Sequence, residues 1–274
     1  LPMSRECNVL FVYSNQDVAG ISMAKYLIDL LNMEKLDAKT FKYKDYLLIQ
    51  VDQDIIFTDG IEESLDINPN LIIFLSRHSS TAHIKTLSVH VTGNPLEYKE
   101  YGGEKYELAP TDPILMRTTL LNIYDYADRI NLTKEYTVTM EVTHHGPTKI
   151  YAPSFFVEVG STVEEWKDRR ASKVVVDAVL EAIKNPIGGI PSVGLGGPHY
   201  APTFTRYVID KDYAVGHILS KYVLDKINEE VLRQSFKKTL NADTALFDWK
   251  GIKGGTRRKL RELIEDWGYR VIRI

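Results

Sequence analysis

Histidine and carboxylate side chains are the chemistry-bearing residues of this sequence, and most of the histidines fall where short β-type runs end. His78 follows the run 71–75 by three residues, His144 and His145 follow the run 136–142, His199 follows the run 193–197, and His217 lies near the end of its own run. Open α/β sheets bind ligands at the carboxyl ends of their strands, where loops converge and helix N-termini point inward. Imidazole is both the commonest metal ligand and the natural general base near neutral pH. A single histidine is usually a hydrogen-bonded surface or core residue, but several at matching strand ends argue for a catalytic or metal site shared by at least two of them. The pattern leaves open which two. Glu141 and Glu158 sit in strands otherwise made of apolar and hydroxyl residues, where a carboxylate is costly unless paired or metal-bound. Both are candidate ligands or general bases. Glu141 shares a face with Thr137 and Thr139, which reads as a solvent-facing group or a partner for a basic residue such as Arg77. Glu158 shares a face with Phe156 and is the stronger candidate.

Two further segments could touch a ligand. Residues 194–203, GLGGPHYAPT, place glycines that permit close backbone approach beside His199, Tyr200 and Thr203. They match neither a dinucleotide fingerprint nor a phosphate loop, and the chain has no HExxH or GxSxG motif. Residues 250–261, KGIKGGTRRKLR, form a basic cluster entering a helix, with Gly254-Gly255 able to leave free amides for phosphate. A solvated basic helix face is the plain alternative.

These side chains need a scaffold of ordinary globular composition. With 44% hydrophobic and 26% charged residues the chain can build a packed core, and its 274 residues allow one large α/β domain or two small ones. The balance of 34 basic against 37 acidic residues excludes a surface that grips nucleic acid everywhere, so any RNA contact must be local. Cys7 stands alone, which excludes an internal disulfide and a CxxC zinc pair. No apolar run reaches membrane length and the N-terminus lacks signal-peptide order, so the expectation is a cytoplasmic protein without membrane contact.

Strands are expected at 8–13, 46–51, 55–58, 71–75, 86–92, 136–142, 155–159, 193–197, 213–218, 244–248 and 269–274. In 86–92 the alternation turns His90 away from the apolar face. Asp17 caps a helix ending near Asn32, and Asp112-Pro113 opens one running to about Ile130. Ser161 with Glu164 reads as a capping box for a helix to about Lys184. Ser220 is placed as the cap of a helix to about Lys237, and a last helix spans about 256–266. Residues 96–110, with Gly102-Gly103 among Tyr98, Tyr101 and Tyr106, follow neither period and read as a long loop or lid. The alternation of strand and helix predicts one α/β domain over 1–274, a three-layer αβα sandwich on a mixed, mostly parallel sheet. A small C-terminal subdomain, 241–274, is the variant of this reading.

LSRHSS at 75–80, SVHVTGN at 88–94, EVTHHGP at 141–147, FFVEVGSTVEEW at 155–166, VGLGGPHYAPTFT at 193–205 and AVGHILSKY at 214–222 together resemble the D-aminoacyl-tRNA deacylases of archaea and plants, over nearly the whole chain. The resemblance implies hydrolysis of the ester joining a D-amino acid to the terminal adenosine of tRNA, a chiral proofreading role in translation. It also implies Zn2+ as cofactor and a fold similar to peptidyl-tRNA hydrolase and nucleoside phosphorylases. Carried onto this chain, the polar positions of the shared motifs are His78, His83, His90, His144, His145, Glu158, His199, Thr203 and His217. Within that set we assign catalysis to His144, Glu158, His199 and Thr203, and metal binding to His78, His144, His145 and His199. Substrate binding is expected at Gly196, Gly197 and Tyr200. For tRNA the expected contacts are Lys253, Arg257, Arg258 and Lys259. The partner is the aminoacylated acceptor end of tRNA rather than DNA, and the protein is expected to act as a monomer. Rival readings are a peptidyl-tRNA hydrolase-like esterase and a non-catalytic tRNA-binding protein.

Overall fold

The computed structural model describes residues 7–98 and 100–274, ordered as alternating strands and helices. Strand β1 (Val9–Ser14) is buried throughout, and the Asp17 carboxylate after it accepts the Gly20 N–H, so helix α1 (Val18–Leu31) begins where the cap residue dictates. Left-handed Asn32 ends it. The short β2 (Glu34–Lys35) and β3 (Thr40–Tyr43) fold back antiparallel, and they deliver β4 (Tyr46–Val51) parallel to β1. After α2 (Ile61–Leu65), β5 (Leu71–Ser79) pairs on the other side of β1. Then come β6 (Thr86–His90), the small pair β7 (Gly93–Asn94) and β8 (Glu107–Leu108), α3 (Pro113–Arg129) capped by Asp112, and β9 (Thr137–Met140). β10 (Ser154–Ser161), α4 (Val163–Trp166) and α5 (Arg169–Lys184) complete this part. The sheet order is β2-β3-β4-β1-β5-β10-β6-β9, parallel from β4 to β10, with β6 turned against β10.

The remainder makes a second, wholly parallel sheet rather than extending the first, contrary to the single-sheet expectation. β11 (Ile190–Leu195), α6 (Pro202–Asp210), β12 (Tyr213–Leu219), α7 (Glu229–Lys237), β13 (Thr244–Phe247), α8 (Gly254–Asp266) and β14 (Arg270–Arg273) give the order β12-β11-β13-β14. Residues 241–274 therefore add strands to a sheet that starts at Ile190. Strand alternation divides its faces. Val193, Leu195, Ala245 and Phe247 pack with Leu232 and Phe236 of α7 and Leu260 and Ile264 of α8. Val215, Ile218 and Leu246 join the main core with Phe204 and Val208 of α6. Helix α3 packs on α5 and reaches both β6 and β12, so it supports the two sheets together. The α/β class with a largely parallel sheet flanked by helices is as the sequence predicts.

Local expectations fail where short apolar runs lack a partner. Residues 55–58 are not a strand but a 3-10 turn, Ile55–Phe57, which buries Ile55 alone and leaves Phe57 exposed. The capping box uses Thr162 and Glu165, one residue later than Ser161 and Glu164, because β10 continues through Ser161. Asn228, not Ser220, caps α7, and residues 221–226 are turns. α6 begins inside the segment read as a glycine-rich loop.

Candidate functional site

Three strands and one connecting segment bring the site together. β5 runs past residue 75 and carries His78 as a buried strand residue. Its parallel neighbour β10 faces it with Gly160, where a Cβ would lie 2.5 Å from the His78 Cβ, so only glycine lets the two strands close here. Glu158 lies two residues earlier on the same face. On the far side of β10, β6 sets His90 opposite Phe156, with the rings stacked at 5.2 Å. The chain then leaves β9 at Met140 and crosses between the sheets. The Glu141 N–H donates to Val89 O (3.1 Å), the Val142 N–H to His199 O (2.9 Å) and the Thr143 N–H to Ile218 O (2.8 Å). That stitch places Glu141, His144 and His145 beside His199, which follows β11.

Five imidazoles and two carboxylates converge there. Ring centroids lie 4.4 Å apart for His90 and His144, 4.3 Å for His144 and His145, 4.7 Å for His144 and His199, and 6.0 Å for His78 and His199. His144 Nδ1 is 2.7 Å from Val142 O and His145 Nδ1 is 2.6 Å from Gly146 O. A carbonyl only accepts, so each Nδ1 carries the proton and each Nε2 offers a lone pair, the arrangement seen in metal-binding histidines. Glu141 lies 3.1 Å from His78 Nδ1 and 2.8 Å from His199 Nε2, yet neither of its buried oxygens receives an aligned hydrogen bond among the described residues. His90 Nδ1 is likewise without one. Such orphaned polar atoms are rare in a core, and a bound cation would satisfy them. Three groups have donor atoms within 4.8 Å of one another: His90, His144 and His145; His78, Glu141 and His199; His90, Glu141 and Glu158. The donor set fits a metal.

Electrostatics agree with that fit. Burial, reinforced by neighbouring imidazoles, holds His90 and His144 neutral, well below the usual histidine range, and burial pushes His145 down to about 4. Burial would also lower His78, but Glu141 and Glu158 outweigh it and hold it at about 11. Glu141 is pushed up by burial and pulled down further by His199 and His78, so it stays ionised. Burial lifts Glu158 to about 7 against the pull of its hydrogen bond with His78 Nδ1 (3.2 Å). Neutral imidazoles beside an ionised carboxylate are the protonation states that metal binding requires, and a metal using His78 must displace its proton.

The sequence model of the family described as D-aminoacyl-tRNA deacylase matches residues 65–272. The chain belongs to the D-aminoacyl-tRNA deacylase family. Proteins named D-aminoacyl-tRNA deacylase from Archaeoglobus fulgidus and Staphylothermus marinus are 35% and 34% identical, over 96% and 93% of this chain and 95% and 94% of their own lengths. One from Methanosarcina barkeri is 33% identical over 97% of this chain and 89% of its own. The crystal structure of a conserved protein of unknown function superposes with a TM-score of 0.90 at 33% identity, covering 98% of this chain and 96% of that one.

In this deacylase-family chain the residues assigned from sequence divide in three. His78, His144, His145, His199 and Glu158 meet at one corner, and Tyr200 joins them with its hydroxyl 3.1 Å from His78 Nε2. Gly196 and Gly197 do not line the cavities at the histidines. The Gly196 N–H donates to Leu219 O, and both glycines, at positive φ, pack closely around Asp248. Thr203 lies in the first turn of α6, where Thr205 rather than Thr203 bonds to Thr139 and the Met140 N–H. Lys253, Arg257, Arg258 and Lys259 sit at the start of α8. Lys253 pairs with Asp225, and Arg257 stacks on Trp249 while donating to its carbonyl; Arg258 and Lys259 are exposed. His83 is exposed in the turn after β5. His217 is buried behind the site, its Nε2 donating to Ala109 O (2.9 Å) and its Nδ1 accepting from the Thr143 hydroxyl (3.0 Å). The site assignment from sequence left out Glu141, although it was a candidate ligand, and His90, although it was a polar position of the shared motifs. Glu141 is fully buried rather than solvent-facing, and His90 turns into the site from a strand buried on both faces. Their sequence signals were the cost of a carboxylate in a strand of apolar and hydroxyl residues for Glu141, and a place inside the SVHVTGN motif for His90.

Proposed function

We propose that this chain hydrolyses the ester joining a D-amino acid to the 3′-terminal adenosine of tRNA, with Zn2+ as cofactor, acting as a cytoplasmic monomer that keeps D-amino acids out of translation. The carrying observation is the convergence of His78, His90, His144, His145 and His199 on Glu141 and Glu158 in a chain of the deacylase family. These residues would hold the zinc, and the chemistry it would supply when bound is activation of water near neutral pH and Lewis-acid polarisation of the ester carbonyl. Everything else is done by the chain. His90, His144 and His145 present one donor set and His78, Glu141 and His199 another. Glu158, held near 7 and lining the wider cavity, can take a proton from an attacking water and return it to the departing 3′ oxygen. Tyr200 fixes the His78 ring through its hydroxyl. Tyr101, from the loop 96–110, lines both cavities beside the histidines and is placed to exclude the L side chain. Among the described residues no helix is long and apolar enough to cross a membrane. The family match does not favour the peptidyl-tRNA hydrolase or the non-catalytic reading.

The test is deacylation of D-tyrosyl-tRNA and L-tyrosyl-tRNA before and after chelation, with metal analysis of each sample. D-tyrosyl-tRNA is expected to turn over much faster, to stop when the metal is removed and to resume when zinc is restored. Equal rates on both tRNAs, or unchanged turnover in metal-free protein, would overturn the proposal.

A further inference from the structure

His144, His145, His199 and Tyr101 form a wall between two cavities of different character. The wider one, about 460 Å³, carries the charged side chains Asp54, Arg77 and Glu158 beside His78. The other, about 240 Å³, has no Asp, Glu, Lys or Arg side chain on its lining among the described residues; Leu96, Val142, Val223 and the tyrosines 98, 101 and 222 give it apolar walls, with Asn94 and Ser220 as polar edges. The three tyrosines are 60%, 65% and 62% exposed, an unusual concentration of open aromatic surface beside a buried polar centre.

Resting on the reading in the preceding section, we propose that the tyrosine-walled cavity seats the substrate's terminal nucleoside, its purine stacked on Tyr222 and Tyr98, and that the wider cavity receives the aminoacyl group. Three observations assign the occupants this way. An aminoacyl ester carries an ammonium next to its carbonyl, and the Asp54 carboxylate, which also pairs with Arg77 at 3.2 Å, lines the wider cavity only, leaving Glu158 beside it for the proton transfers. A nucleobase is flat and uncharged, and it stacks on aromatic side chains regardless of sequence. The turn that lines the tyrosine-walled cavity also leads into the basic part of the surface. Ser220, Tyr222 and Val223 line it, the exposed Lys221 lies over the Tyr222 ring at 5.1 Å, and Asp225 in the same turn binds Lys253 and Thr256 at the start of α8. Lys221, Lys226, Arg258 and Lys259 are all exposed along this turn and helix, so a phosphate backbone leaving the cavity meets cations. The scissile ester then lies across the shared histidine wall, where both donor sets reach it.

Binding of AMP and of free D-tyrosine to the full chain, measured by calorimetry on wild type, Tyr222→Ala and Tyr222→Phe, tests the assignment. Tyr222 is exposed, so neither substitution endangers the fold. Tyr222→Ala is expected to weaken AMP about tenfold, the scale of one lost base stack, while D-tyrosine binds as before and Tyr222→Phe retains AMP. The assignment is overturned by D-tyrosine weakened with AMP spared, which would make the cavity the side-chain pocket, or by AMP binding that is absent or indifferent to Tyr222. Turnover of D-tyrosyl-tRNA in the same samples separates the two readings. AMP bound at Tyr222 without turnover sinks the proposed activity alone, and turnover without Tyr222-dependent AMP binding sinks the subsite alone.

Discussion

Glu141 shows what a side chain's own spacing cannot say. Alternation over residues 136–142 places it on the Thr137 and Thr139 face, and that face is the right one. Thr139 pairs with Ser88 and Ser88 with Glu158, so this is the side of the sheet that carries Glu158 and His90, and histidines rather than solvent cover it. His78, His144, His145 and His199 were legible because each sits at or near a strand end, where side chains of different strands converge, and Glu158 because a carboxylate on an apolar strand face needs a partner. His90 was not, because one reading of alternation sees an outward face and the structure has protein on both. Replacing Glu141 by Gln keeps the volume and removes the charge that opposes the orphaned imidazoles. Metal affinity is expected to fall by at least about tenfold to a hundredfold, the range for losing a partner of a metal ligand, with turnover falling in parallel. Thermal stability of the metal-free protein should change as well, because His78 loses one of the two carboxylates that hold its proton, so metal content rather than melting temperature is the deciding readout. Metal content by elemental analysis after dialysis is the measurement, and a fully loaded, active Glu141→Gln protein would remove this residue from the site.

At the scale of elements, the strand and helix succession was readable wherever a cap residue marks a start, as Asp17 and Asp112 do, but the split into two sheets was not. Pairing is a long-range property, and β11 carries the same branched residues whether it extends the first sheet or begins a second. What joins the sheets is the segment 141–144, and His217 on β12 secures it through Thr143. Both His217 nitrogens are engaged only in the neutral ring, and burial pushes its pKa down to about 3. In the unfolded chain a histidine titrates near 6.5. Between those values the unfolded state binds the extra proton, so this group's contribution is intact above pH 6.5 and is lost as pH falls toward 3. At pH 5 the loss is about 2 kcal/mol for His217 alone. His217→Asn should therefore be destabilised relative to metal-free wild type by an amount that shrinks by about that much between pH 7 and pH 5, as read from urea melts at each pH. A difference independent of pH would show that His217 is not neutral in the folded protein.

For the whole molecule, a net charge of −3 makes RNA binding a question of where rather than whether. The cluster at the start of α8 is visible in sequence, but its internal division of labour is not. Lys253 holds Asp225 and Arg257 holds Trp249, so removing them would loosen α8 and confuse folding with docking. Arg258 and Lys259 are exposed and carry no such duty in the ion pairs of the described residues. Each cation that neutralises a phosphate releases a counterion, so affinity falls with salt at a slope of roughly 0.7 to 0.9 per contact. The double change Arg258→Ser and Lys259→Ser should raise KM for D-tyrosyl-tRNA at low salt and flatten its logarithmic salt dependence by about 1.5, two contacts' worth. It should leave kcat unchanged, since neither residue lines the cavities at the histidines. Titration of KM against salt for both proteins decides it. An unchanged slope would mean that the acceptor arm approaches over another face, and with it the continuity between the tyrosine-walled cavity and α8 would lose its purpose.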